Sequence, residues 1–229
     1  MPFTYNYNED QFAYRQIEQV LQNVITSDLL KIGGFDSKTI QKIPALLYAV
    51  SNDGDHTSFQ THATNTGIGY DTLLKVFDAL EKTEILLRVY PYGSHSKQTT
   101  NSSKFLFMSS AYRSMYFNLV GSVFGFNEYK GKLVEDIVGL YLHRMFSQSS
   151  SVLRGFTHHD ISGGADFIIN CQDANIAMEV GYGKKDFKQV EKSSNEVNTK
   201  YNLVISQSPL KLSSDKKSVS IPLHAFLLI

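Results

Sequence analysis

Two acids stand in short apolar runs. Asp166 lies in Gly163-Gly164-Ala165-Asp166-Phe167-Ile168-Ile169 and Glu179 in Met178-Glu179-Val180-Gly181. Each run reads as a strand carrying one carboxylate, over about 165–171 and 175–181, with the polar Gln172-Asp173 between them. A hairpin centred on that dipeptide puts Asp166 opposite Glu179, with β-carbons about 4.5–5.5 Å apart. Strand period two then sets both acids on one face with Ile168 and Ala177. Phe167, Ile169, Met178 and Val180 fall on the other, a core face. Two carboxylates that close need a cation, a shared proton or a basic neighbour. Mg²⁺ takes oxygen ligands, often one or two carboxylates plus waters, so the pair is a candidate metal site. The competing reading is a hairpin face decorated with ordinary acids.

The elements around the acids carry a resemblance. A helix is expected over 128–146, with Val134, Ile137, Val138, Tyr141 and Met145 on its buried side and Glu135 within it. An opening strand is expected over 152–157, and a charged helix over 184–195 carries Gln189. In this order, the Gly-x-x-Asp-Phe strand, the apolar-Glu-Val strand and their flanking helices resemble the core of the PD-(D/E)xK nuclease superfamily, over about 128–206. The resemblance implies Asp166 and Glu179 as ligands of Mg²⁺ or Mn²⁺, with the backbone carbonyl of Val180 beside them. It implies Glu135 as the acid that orients water or a second metal, and Gln189 as the helix glutamine. One position departs from the pattern. The lysine expected two residues after the second-strand acid is replaced by Gly181. Lys184 or Lys185, just past the Gly181-Tyr182-Gly183 turn, stands in for it on a long stem, or else the site is inactive.

The resemblance extends toward the N-terminus. The run from Tyr70 to Leu86, then Val89-Tyr90-Pro91-Tyr92-Gly93, then Lys104-Phe105-Leu106-Phe107 is similar to the winged helix in the C-terminal region of a family of prokaryotic AAA-type ATPases. No Gly-x-x-x-x-Gly-Lys-Ser/Thr loop occurs in the sequence, so ATP hydrolysis is not assigned to it. The chain is then an excised C-terminal region or a product that lost its motor.

The segments before the acids follow the same logic. Phe12, Ile17, Val20, Leu21, Val24 and Ile25 have helical spacing, and Gly33-Gly34 is a stop signal. Asp36 to Thr39 offers a cap, Pro44 a first-turn proline, and 43–50 a buried stretch. Further helices are expected over 57–66 and 70–82, the latter with Leu73, Leu74, Phe77 and Leu80 on one stripe. Strands are expected over 85–90 and 105–108, separated by a mobile wing tip at 94–103. A helix and connector follow over 109–126, and residues 203–206 and 219–228 read as further strands. The fold class expected is α/β (α+β). An N-terminal helical and winged-helix domain, 1–122, leads into a restriction-endonuclease-like mixed-sheet domain, 123–229.

Charge weighs on the function. Lys plus Arg and Asp plus Glu number 22 each, so no global basic excess marks a nucleic-acid binder. Between 51 and 82 five acids stand against Lys75 and Lys82, which opposes phosphate contact by the exposed face of Asp71, Thr72, Lys75, Asp78 and Lys82. From Arg88 to Lys104 there is no acid, so Arg88, Lys97 and Lys104, with Lys188 in the later helix, are the candidate nucleic-acid contacts. His158 and His159 beside Asp160 read as strand-end residues more than as metal or acid–base groups, and Tyr5, Tyr7 and Tyr14 as packing or surface aromatics. The single Cys171 fits a reducing cytoplasm. No apolar run reaches membrane-spanning length, and the N-terminus lacks a signal-peptide pattern. The expected function is a DNA-associated, metal-dependent nuclease. The rival is an inactive nuclease-fold module that binds DNA or protein, self-associates or docks on an AAA-type ATPase.

Overall fold

The computed structural model describes residues 10–53, 57–121, 125–148, 153–171 and 174–228. The Gln172-Asp173 turn, Tyr5, Tyr7 and the acid Asp55 lie outside them. The chain divides into two compact units. One comprises 1–88 with 105–125, the other 89–104 with 126–229.

The first unit is helical. Helix α1 (Asp10–Asn23) runs through a π-helical turn at Val24–Asp28 into α2 (Leu29–Gly33). The hydroxyls of Thr26 and Ser27 donate to the carbonyls of Gln22 and Asn23 there, a competition that loosens the regular ladder. Gly34 ends α2 in the left-handed conformation that a glycine stop signal predicts. The Asp36 carboxylate accepts from Thr39 N at 2.7 Å and starts α3 (Ser37–Ser51). That cap lies early enough to leave Pro44 inside the helix rather than in its first turn. Helices α4 (Phe59–Thr66) and α5 (Tyr70–Lys82) follow. Leu73, Val76, Phe77, Ala79 and Leu80 form the buried stripe of α5, joined by Ile43, Leu46 and Leu47 of α3 in one apolar core. Strands β1 (Leu86–Val89) and β2 (Lys104–Phe107) make a two-stranded sheet, and α7 (Ser110–Leu119) follows. The expected wing tip, which belongs to the second unit, is a helix instead, α6 (His95–Thr100), because the Ser94 side chain caps it at Lys97 N.

The second unit is a mixed sheet. After α8 (Phe126–Gln148) come β3 (Leu153–Thr157), β4 (Phe167–Cys171), β5 (Asn175–Val180), α9 (Lys188–Val197), β6 (Tyr201–Ser206), β7 (Lys211–Leu212) and β8 (Ser218–Pro222). They are ordered β3-β4-β5-β6-β8-β7. The strands β3, β4 and β5 pair antiparallel, while β6 pairs parallel with both β5 and β8. Beyond Pro222 the chain turns into α10 (Leu223–Phe226), so the strand expected over 219–228 stops where proline removes a ladder donor. Val190 and Val197 of α9 pack on Ile168, Ala177 and Val204. On the other face Phe156 meets Phe146 of α8 and Phe167 of β4. Met145, expected on the buried side of α8, is exposed instead, in the last turn of the helix. Among the described residues no helix is long and apolar enough to cross a membrane.

Candidate active site

The register of β4 and β5 builds the pair of acids. Phe167 faces Met178 and Ile168 faces Ala177, so continuing by one residue sets Asp166 beside Glu179. Glu179 is only 1 % exposed, and Ile168 and Ala177 on its face are fully buried. A decorated, solvent-exposed hairpin face is therefore not what the fold makes.

Asp166 is held at the mouth of β4. Val180 N donates to its Oδ2 at 2.7 Å. The turn before it needs Gly164, because a β-carbon there would come within 2.6 Å of the His159 carbonyl oxygen. Gln189 of α9 donates through Nε2 to the Gly164 carbonyl at 3.0 Å, so it shapes this turn rather than touching the acids. Ala165 N donates to Ser193 Oγ at 2.7 Å, and His159 Nδ1 pairs with the same hydroxyl at 2.9 Å. Burial lowers the His159 pKa, in line with a structural role. His158 is buried, and its Nε2 donates to the Ser102 carbonyl at 3.2 Å. Ser193 is also fully buried, and His159 Nε2 lies 3.6 Å from Glu196 Oε2.

Lys185 reaches the acids. Its Nζ lies 2.8 Å from Glu179 Oε1. The lysine stem lies against Gly181. A β-carbon on Gly181 would stand 2.4 Å from Lys185 Cε, so the lysine stem fills the volume that a side chain there would take. Ser208 fixes the start of this segment, accepting from Lys185 N at 3.0 Å and donating to Lys185 O at 3.1 Å. Lys184 beside it is exposed. Burial pushes the Glu179 pKa up, against the opposing pull of the Lys185 ammonium. Burial works to lower the Lys185 pKa, yet the charges of Glu179, Asp166 and Glu135 outweigh it and the net shift is upward.

A second lysine enters from β2. Lys104 Nζ donates to Glu135 Oε1 of α8 and lies 3.4 Å from Asp166 Oδ1. Its side chain is 6 % exposed and sits over the Phe167 ring, 5.7 Å from the centroid. Lys104 was expected on a basic wing touching nucleic-acid backbone, and the structure corrects this. The residue shares a strand face with the buried Leu106, two positions on, and that period points it into the core. Lys132 adds a third amine, 3.2 Å from Glu135 Oε2. Its i, i+3 spacing to Glu135 was the sequence signal available.

The other basic candidates scatter. Arg88 reaches Asp78 at 3.0 Å and Glu81 at 3.4 Å and lies over the Phe59 and Phe105 rings, so it braces the first unit rather than facing a ligand. Lys97 is exposed on α6, and Lys188 is exposed with Asp186 at 3.8 Å.

The donor set also bears on a metal. Among the described residues no three His, Cys, Asp or Glu groups are spaced to hold one. The pair Asp166 and Glu179 remains, and Glu179 Oε2 is buried with no hydrogen-bond partner. A buried carboxylate oxygen left in that state is costly. One hard cation ligated by this pair and by water fits the chemistry.

Comparison with known proteins adds family membership. A family described as a domain of unknown function, DUF8612, matches residues 1–119. The uncharacterized protein MJ1637 of Methanocaldococcus jannaschii is 32 % identical over 231 aligned residues, which take in the whole of this chain but 47 % of the relative. The chain thus spans about half the length of that relative. No solved structure matches it. With more than half of its residues covered by the family model, the chain belongs to the DUF8612 family.

Proposed function

We propose that the chain is a DNA-associated, metal-dependent nuclease module of the PD-(D/E)xK type, related to the C-terminal region of AAA-type ATPases and acting in the cytoplasm. The observation that carries this reading is Lys185 filling the space at Gly181 and bonding to Glu179 at 2.8 Å. An amine four residues further along the chain thus supports the reading, beside the acid that the resemblance pairs with a lysine.

Asp166 and Glu179 would hold Mg²⁺ or Mn²⁺, with the Val180 carbonyl as the further ligand that the resemblance implies. Bound there, the ion would neutralise the scissile phosphate and lower the pKa of its water. The protein's own groups supply the rest. Val180 N fixes the Asp166 carboxylate, and Lys185 engages Oε1 of Glu179 while Oε2 stays without a partner. The Lys185 ammonium remains charged at neutral pH, since its pKa is raised, and so can stabilise the extra negative charge of a pentavalent phosphoryl group.

The second reading is an inactive module that binds DNA or protein or self-associates. One observation favours it. Glu135, Asp166 and Glu179 are each already met by an amine, from Lys104, Lys132 or Lys185.

Plasmid cleavage in Mg²⁺ and in Mn²⁺ separates the two. The nuclease reading expects nicking by the parent and a loss of at least about 100-fold in Asp166→Asn and Glu179→Gln, as seen when charge stabilisation at a transition state is removed. Equal residual nicking by all three proteins would overturn it in favour of the inactive module.

A further inference from the structure

Lys104 occupies the ground between Glu135 and Asp166. Its ammonium donates to Glu135 Oε1, lies 3.4 Å from Asp166 Oδ1, and is almost wholly withdrawn from solvent. These are the two carboxylates that a second divalent ion would have to share. In two-metal sites the ions sit about 3.5–4 Å apart and are clamped by common acids. An ammonium is a compact point charge with three donors, able to satisfy two carboxylates at once. The remaining acid, Glu179, keeps a buried oxygen without a partner on its own side of the site.

Resting on the nuclease reading, we infer that Lys104 is a resident cation standing in for the second metal, so that the site binds one divalent ion and not two. Lys104 is a positioning residue. It neutralises Glu135 and orients Asp166 by a bond opposite to the one from Val180 N. It takes no proton from water, and it leaves Glu135 no open oxygen for a second ion, since Lys132 Nζ lies 3.2 Å from Oε2. The lysine is also anchored through its own segment. Asn101 Nδ2 donates to Asp160 Oδ2 at 2.8 Å, His158 donates to the Ser102 carbonyl, and Pro91 bridges to His158. These contacts tie the 89–104 segment to the sheet unit and fix where the amine is delivered.

The test is a Mn²⁺ titration of the full chain at pH 7.5, by calorimetry and by electron paramagnetic resonance. The parent is expected to bind one equivalent with the spectrum of an isolated ion. Lys104→Met, which keeps stem length but removes the charge, is expected to bind two, with spin coupling between them. Lys104→Arg, which keeps the charge, is expected to stay at one. Two equivalents in the parent overturn the inference by themselves, even if Lys104→Met does not fold. One equivalent in both the parent and a folded Lys104→Met overturns it while leaving the nuclease reading standing. No binding in the parent with binding in Lys104→Met overturns the one-ion site and removes the metal-dependent nuclease reading with it. No binding in either overturns both.

Discussion

Glu179 carries the chemistry of the site in one residue. It is a buried carboxylate with one oxygen on Lys185 and the other unpartnered. Burial raises its pKa above the ordinary 4.5, more than Lys185 brings it down. Above that value the folded chain holds a proton that the unfolded chain has released. Stability rises with pH only where the unfolded state binds more protons, so this group works the other way. Its contribution is most favourable below about pH 4.5 and declines as pH rises to the folded-state pKa. Glu179→Gln removes that dependence. The stability of the parent minus that of Glu179→Gln, from urea unfolding, should therefore fall as pH rises from about 4.5, by about 1.4 kcal/mol per unit separating the two pKa values. A flat difference across that range would show that the carboxylate is solvated as in the unfolded chain.

At the scale of elements, the β4–β5 hairpin, the long helix before it and the helix caps were legible in the sequence. Each rests on local pattern, namely strand alternation, helical spacing, or Asp36 three residues before Thr39. The contacts of Lys104 with Glu135 and Asp166 were not legible. Its acids lie 31 and 62 residues further along, and no local spacing pattern links residues that far apart. The α6 helix was missed because its residues are polar and its only signal, Ser94 as a cap, also reads as a turn. Gly181 was legible only as a departure, yet the Lys185 stem lies in the space beside it. This yields a prediction for the segment. Gly181→Ala should push Lys185 off Glu179 and cost roughly tenfold or more in cleavage. The relocation Gly181→Lys with Lys185→Ala should recover most of the loss, because the amine then starts from the position the pattern prefers. Catalytic rates on one plasmid substrate decide it. If Gly181→Ala matches the parent, the Lys185 contact plays no part in the chemistry.

For the whole molecule, the division into units matters more than the linear order. Residues 89–104 cluster with the sheet although they lie between strands of the helical part, and they bring Lys104 with them. The sheet unit depends on that segment at several points. Tyr92 N donates to the His158 carbonyl at 2.8 Å and His158 N to the Tyr90 carbonyl at 2.9 Å, so the segment continues the hydrogen bonding past the end of β3. The Tyr92 hydroxyl accepts from Asn175 Nδ2 at 3.0 Å at the start of β5. Removing the segment leaves these backbone groups without partners and leaves Glu135 and Asp166 without the Lys104 ammonium. A buried group stripped of its hydrogen bond costs about 1–3 kcal/mol, and more when charged. Several such losses approach the total stability of an ordinary domain, about 5–15 kcal/mol. A fragment of residues 123–229, cut at the linear boundary, should therefore fail to fold cooperatively. Its amide spectrum should be poorly dispersed and its urea transition broad, in contrast to the full chain. A sharp transition and a dispersed spectrum would mean that the 89–104 segment decorates the sheet unit without holding it together.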